Sequence, residues 1–439
     1  MPPSPTSAPR RIALRPLGVR DFRLLMLDTT LQNVVMPINF ITLTFWAASR
    51  YPDQKVLYPS LLLAIRGVGL LAFSPIGGAL ADRLDKRRVI QCCETVLFLL
   101  IAGTAACMLF EPLGDGTILL VLGLVFLQAA NMGFDAPTRA SSIAAIVPKE
   151  EMGAAIGLNN IAQQLTIPIV LPVVGLLNGA VDAGYIIAAS LLAWVGIFPA
   201  IASLRFVSRG GSGKSKRVVA DIREGIAYVR KDQTIQGIVL LVLVLQVVAM
   251  PGVGMLGPVW MTQVLGLSKA QFGLVAMVWG IGAFCSSFYF ARNLRSARSG
   301  RTMCILAIVF GLFALVFSYS RIPLLTAAAN FVLGFSLAGT LVVAITVVQY
   351  KVADEMRGRV MGLFPLIMGV SMLNVLPVGA AGQRLGLEFI VPAMSWAALA
   401  LAAYIITTRG SLRRTAGALS PSLPVQPRTL TAGLAGDER

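Results

Sequence analysis

Gly77-Gly-Ala-Leu-Ala-Asp-Arg-Leu-Asp-Lys-Arg-Arg88 is a dense, mostly basic cluster set between two apolar runs. Ser60 to Ala81 before it carries only Arg66, and Val89 to Phe110 after it carries only Glu94. About 20 apolar residues cross a bilayer core, so a short charged segment between two such runs reads as a cytoplasmic turn joining membrane helices. The rest of the chain falls into register around that turn.

Composition agrees. Of 439 residues, 56% are hydrophobic and only 13% charged, and the mean hydropathy is +0.78. Soluble chains carry about 25% charged residues, so this is an all-α integral membrane protein. A net charge of +17 raises nucleic acid as a partner, but a nucleic-acid binder gathers its bases on one face of a folded domain. Here Lys and Arg sit in short loops, as the positive-inside rule requires, and no nucleic-acid partner is expected. With no histidine in the chain, imidazole proton relays, His-ligated metals and Ser-His catalysis are excluded. Cys92, Cys93, Cys107, Cys285 and Cys304 lie in apolar runs without metal-ligand spacing and read as small buried hydrophobes. No cofactor or metal is expected.

The apolar runs count to twelve spans. The first, continuing to Ala48, is too long for a signal-peptide core and reads as a retained helix. The expected organisation is a cytoplasmic N-terminal segment over 1–23, a six-helix bundle over 24–205, a cytoplasmic linker over 206–233, a second six-helix bundle over 234–408, and a disordered cytoplasmic tail over 409–439. With both termini inside, only Arg50, Lys55, Lys269, Arg321 and Arg384 of the 37 basic residues face outward, and Arg66 lies within a span. That asymmetry orients the chain in a plasma (inner) membrane. In the linker, Val219, Ile222, Ile226 and Val229 recur at helical spacing, predicting an amphipathic helix along the inner membrane surface.

An internal repeat supports two halves. Val147-Pro-Lys-Glu-Glu-Met-Gly-Ala-Ala-Ile-Gly-Leu158 and Val352-Ala-Asp-Glu-Met-Arg-Gly-Arg-Val-Met-Gly-Leu363 agree at five of twelve positions, with an offset of 205 residues. Each leads into a fifth helix of six. Gly77 and Gly282 share the offset, although the second copy of the turn lacks the acid. Duplicated halves of this kind build two-bundle transporters.

These residues resemble a known family. Gly78-Ala-Leu-Ala-Asp82-Arg83-Leu-Asp85-Lys86-Arg87-Arg88 resembles the loop 2–3 signature of the major facilitator superfamily, Gly-x-x-x-Asp-Arg-x-Gly-Arg-Arg/Lys. Asp85 in place of the glycine is similar to the subgroup containing the enterobactin exporter and macrolide-efflux proteins. Asp135-Ala-Pro137-Thr-Arg139 and Asp354-Glu-Met-Arg357-Gly-Arg359 extend that resemblance. It implies the two-bundle fold and a monomeric secondary transporter in the lipid bilayer, exporting a small amphiphilic molecule by alternating access, with protons as a candidate second partner. Leu171-Pro172-Val-Val-Gly175 departs from the Gly-Pro step of the superfamily's drug/proton antiporters, so the coupling ion stays open.

Two groups of residues are expected to carry the mechanism. The first is a cytoplasmic gate. Asp82 is expected to sit against the N-terminus of the eleventh helix, where an acid is favoured by about 0.3–1 kcal/mol, with Arg357 and Arg359 adding charge-assisted bonds. Gly78, Arg83, Asp85, Arg87, Arg88, Asp135, Arg139 and Asp354 complete it; the alternative is a basic loop that only sets topology. The second group lines the substrate or ion pathway: Asp28, Gln32, Asn33, Arg66, Asn131, Asn159, Gln163, Gln246 and Asn374. Arg66 lies about 12 Å below the outer end of its helix, a costly depth for a cation. It either binds an anionic substrate group or packs helices through neighbouring carbonyls. Asp28 is the candidate proton-coupling carboxylate, against a helix-start acid snorkelling to the surface. The lone amides either face a central cavity or join helices, and Pro251-Gly-Val-Gly-Met-Leu-Gly-Pro258 is the expected hinge. No Gly-x-x-x-x-Gly-Lys-Ser/Thr phosphate loop is present. Uptake of a small metabolite and a non-transporting membrane sensor or scaffold remain the alternatives.

Overall fold

A computed structural model describes residues 15–81, 84–148, 151–206, 218–293, 299–410 and 412. The first half consists of α1 (Arg20–Arg50), α2 (Leu57–Ala81), α3 (Lys86–Phe110), α4 (Thr117–Ile146), α5 (Met152–Ala180) and α6, the last built from Ala183–Ser190, Leu191–Ala193 and Trp194–Ala202. A linker helix over Val218–Lys231 follows. The second half holds α7 (Gln233 to Gln263, interrupted), α8 (Lys269–Arg292), α9 (Gly300–Tyr319), α10 (Pro323–Lys351), α11 (Asp354–Met361 then Leu363–Leu385) and α12 (Leu387–Thr408). No strand occurs among the described residues. Among the described residues eleven of these helices, all but α7, are long and apolar enough to cross a bilayer, and the linker helix with the first part of α7 passes the same test only as a bent pair.

Short polar residues start the helices by satisfying backbone N–H groups that have no intrahelical partner. Asp85 caps α3 through the N–H of Arg87, Asp182 caps α6 through Gly184, and Ser268 with Gln271 forms a reciprocal capping box on α8. Asp232 caps α7 through Thr234 and Ile235, where the chain turns by 115° out of the linker helix. Burial would push the Asp232 carboxyl up. The Lys351 ammonium at 2.9 Å and the two backbone N–H groups outweigh that and hold it below the usual carboxylate range.

The two halves repeat one packing plan. α2 packs on α4, and α8 on α10, through glycines that let backbones touch: a Cβ on Gly77 would collide with the Gly133 carbonyl, and one on Gly282 with that of Phe331. Val147 and Val352, equivalent in the repeat, both end a helix in extended backbone and are both buried. The halves meet through α2 against α11 and α5 against α8. At the second contact a Cβ on Gly175 would stand 2.7 Å from Gly273 Cα and 2.6 Å from the Lys269 carbonyl.

The linker helix also has a protein partner. It packs on the start of α11, Gly225 lying against the Arg359 backbone, with Ile222 and Val229 turned into the core. Arg359 reaches back to Asp221 at 2.9 Å and Glu224 at 2.5 Å.

Candidate functional site

Between the halves lies a cavity of about 870 Å³, within the roughly 300–1,000 Å³ of small-molecule sites. α1, α2, α4 and α5 line one side; α7, α8, α10 and α11 line the other. Its wall reaches Phe22 and Met26 at the start of α1, Ile143 at the end of α4 and Ile156 at the start of α5. The opposite end is shut. There Gln383 accepts from Val56 N–H at 3.0 Å and donates to Asp53 O at 2.8 Å, and Phe45 meets Phe272 edge-on at 5.2 Å.

A buried charge cluster stands in the cavity wall toward the start of α1. The Arg139 guanidinium on α4 engages three carboxyls: Asp28 of α1, Glu94 of α3 and, at 2.5 Å, Asp135 one turn back on α4. Asp28 and Glu94 have no solvent exposure, and Gln32 donates to Glu94. Asp28 Oδ1, Glu94 Oε2 and Asp135 Oδ1 have no hydrogen-bond partner among the described residues. Three carboxyls face one guanidinium, so the cluster carries two surplus negative charges when all are ionised. Such a set is stable only with every partner in place.

Asp28 is therefore not a snorkelling acid. α1 begins at Arg20 rather than near Leu24, which carries Asp28 about two turns inward, and Arg139 draws it inside. Asp135 and Arg139, expected in the gate, belong to this cluster as well. Glu94 was not singled out by sequence reasoning. Its signal was that it is the one acid in an otherwise apolar run.

Arg66 lines the cavity, donates to Asn39 Oδ1 at 3.0 Å and lies 5.8 Å from the Phe40 ring centre. Asn33, Asn159 and Gln163 also face the cavity. Asn131 touches its wall but gives its amide to the Cys93 carbonyl at 3.0 Å, tying α4 to α3.

Gln246 and Asn374 do not line the cavity; they mark how α7 breaks. Two π-helical stretches, Val244–Ala249 and Pro251–Met255, interrupt it. Pro251 has no N–H, so it leaves without a partner the Val247 carbonyl in an α register and the Gln246 carbonyl in a π register. Asn374 Nδ2 donates to Val247 O at 2.7 Å, and Ser371 Oγ donates to Gln246 O. Two α11 side chains thus stabilise the expected hinge.

Of the gate residues, Asp82 and Arg83 lie outside the described residues, as does the side chain of Asp354, which opens α11; Gly78 falls within α2. Asp85 caps α3 and sits 3.8 Å from Arg88 at the surface. Arg87 donates to Ala202 O at 3.1 Å, and Lys86 to Ser141 O at 3.2 Å, both within the first half. Arg357 is half-buried beside Arg359. Arg359, expected to bond Asp82, is held by the linker helix, where Asp221 and Glu224, one turn apart, both face it.

A twelve-span, two-bundle protein with a central cavity has the architecture of a membrane carrier. Residues 24–374 match the family model described as Major Facilitator Superfamily, and the chain belongs to that superfamily: it is a multi-pass membrane transporter and not an enzyme. It is 23% identical over 358 residues to the uncharacterized MFS-type transporter YkuC of Bacillus subtilis (strain 168), covering 78% of this chain and 81% of that one. Its fold is similar to that of the nucleoside transporter NupG, with a TM-score of 0.67 at 13% identity over 88% of this chain and 99% of that one. It is also similar to a D-xylose-proton symporter, with a TM-score of 0.62 at 14% identity over 87% of this chain and 96% of that one.

Proposed function

We propose that the protein exports small amphiphilic compounds of drug, macrolide or siderophore-like size across the plasma (inner) membrane, by alternating access and in exchange for protons. The cavity carries this reading: it is large and mostly apolar, its lining runs from Phe22 and Met26 at the start of α1, and contacts such as that of Gln383 with Val56 join the halves at the far end. With both termini cytoplasmic, as the basic loops imply, the lining begins on the side from which an exporter loads. Each chain encloses a whole cavity, so the working unit is a monomer. The resemblance to the enterobactin-exporter and macrolide-efflux subgroup supports the outward direction.

Coupling is assigned to the Asp28, Glu94, Asp135 and Arg139 cluster. A proton on one carboxyl halves the surplus charge and loosens one tie among α1, α3 and α4. Its release restores the tie, giving a two-state element whose balance protons shift. Asp82 and the start of α11 remain the proposed cytoplasmic latch.

The test is flux in proteoliposomes over a panel of antibiotics and siderophores, with and without an imposed pH gradient. Gradient-driven movement of at least one compound, abolished in Asp28→Asn, is expected. Absence of flux for the whole panel refutes export, and flux indifferent to the gradient and to Asp28→Asn refutes the coupling.

A further inference from the structure

We infer that the transported compound is an organic anion, a carboxylate, sulfonate or phosphate on a bulky apolar body, and that Arg66 is its counter-ion. This rests on the cavity being the transport site. Three charged residues line that cavity: Arg66, Asp135 and Arg139. Asp135 and Arg139 bond each other, and Arg139 is fully engaged by its three carboxyls. Arg66 is differently placed. Its one hydrogen bond goes to the neutral Asn39, and no carboxylate lies within ion-pair distance of it among the described residues. A guanidinium has five N–H donors, so four remain for a bound molecule. A cation in an apolar wall is costly without an opposite charge; a bound anion supplies that charge, a neutral compound does not, and a cation adds repulsion.

The surroundings fix the guanidinium for this task. Asn39 is fully buried and holds it through Oδ1, and Phe40 lies beside it. An Arg fork matches a carboxylate or phosphate edge in two parallel bonds. The cavity wall also holds Met36, Met250, Met261, Met368 and Met372, flexible side chains that adapt to varied apolar bodies.

The anion and proton sites are separate. Gly69, just beyond Arg66, packs against Ala129 of α4. Asp135 lies six residues further along α4, about 9 Å nearer the end of that helix. Gly67, next to Arg66, abuts Gly369 and Met372 of α11. An anion held at Arg66 therefore sits where the two halves meet and is placed to shift their balance.

The test uses the full chain in lipid nanodiscs, with empty nanodiscs subtracted, and three fluorescent probes sharing the dansyl group: dansyl-leucine (an acid), its neutral amide, and dansylcadaverine (a cation). The acid is expected to bind at least tenfold tighter than the amide, and the cation weakest. In Arg66→Gln the acid's advantage should fall below twofold while the amide's affinity holds within twofold; Arg66→Lys should keep part of the preference. Equal binding of acid and amide by the unaltered protein, or a preference that survives Arg66→Gln, overturns the inference while leaving export standing. Flux of neutral or cationic panel compounds with none of any anion does the same. No binding of any probe overturns the cavity reading itself, and the inference with it.

Discussion

Removing Arg139 tests the charge cluster directly. In Arg139→Gln three buried carboxyls lose the one cation that pairs with them among the described residues. A hydrogen bond to a charged group contributes about 1.5–3 kcal/mol. Three such bonds share one guanidinium, though, and desolvation offsets part of their sum. Breaking a buried ion pair from one side costs roughly 3–5 kcal/mol because an uncompensated charge stays inside, and that is the expected loss of stability. The second half of the prediction concerns coupling. Asp28→Asn by itself removes a bond that Arg139 uses, but in the Arg139→Gln background it removes a repelling charge. The double variant should therefore be less damaged than the two single losses added together, by about 1–3 kcal/mol. Unfolding in dodecylmaltoside micelles titrated with SDS, followed by tryptophan fluorescence, reads all four corners of the cycle. A loss below about 1 kcal/mol in Arg139→Gln, or single effects that add within roughly 0.5 kcal/mol, would refute the argument that the four residues act as one buried unit.

Three further outcomes follow from particular contacts. Gly175→Val drives a side chain into Gly273 and the Lys269 carbonyl; overpacking of about 1–3 kcal/mol should open the shut end and shift the inward-to-outward ratio roughly five- to 150-fold, read by spin-label distances across α5 and α8. Asn374→Leu leaves the Val247 carbonyl without its donor and should cost about 0.6–1.7 kcal/mol in the same SDS titration, whereas Gln246→Leu, whose carbonyl rather than side chain is used, should cost less. Asp232, held below its ordinary value of 3.8 by Lys351 and two backbone N–H groups against the opposing effect of burial, stabilises the folded chain above that value and ceases to do so as the pH falls through its lower folded one. The gap in unfolding midpoint between the unaltered protein and Asp232→Asn should accordingly be constant from pH 7 to about 5 and close below pH 3.8; a gap that widens on acidification contradicts the sign.

Much of the architecture was written in one dimension. Runs of apolar residues interrupted by Gly77–Arg88 and its counterparts gave the spans. The repeat at Val147 and Val352 gave the two halves, and Val219 to Val229 gave the linker helix. Pro251–Pro258 marked where α7 breaks, since a missing N–H is a property of the residue itself. These features follow from the solvent: a bilayer demands apolar length, satisfied backbone and polar ends, and each demand falls on consecutive residues.

The site was legible only in parts. Asp135 and Arg139 were visible as parts of one motif, expected in the gate, and Arg66 stood out as a charge within a span. What they bond was not visible. Asp28, Glu94 and Arg139 come from three helices, and whether a lone polar residue meets a neighbour, a free carbonyl or open space depends on how each helix is rotated about its axis. Asn131 and Asn374 turned to carbonyls on other helices, Asn159 and Gln163 turned to the cavity, and Arg359 turned to the linker helix. Hydropathy does not set that rotation. It is fixed by side-chain packing and by glycine contacts such as Gly77 on Gly133 and Gly175 on Gly273, between residues far apart in the chain. The sequence thus determined the spans and their halves, and only tertiary packing decided that four scattered charged residues meet while Arg66 has no carboxylate beside it among the described residues.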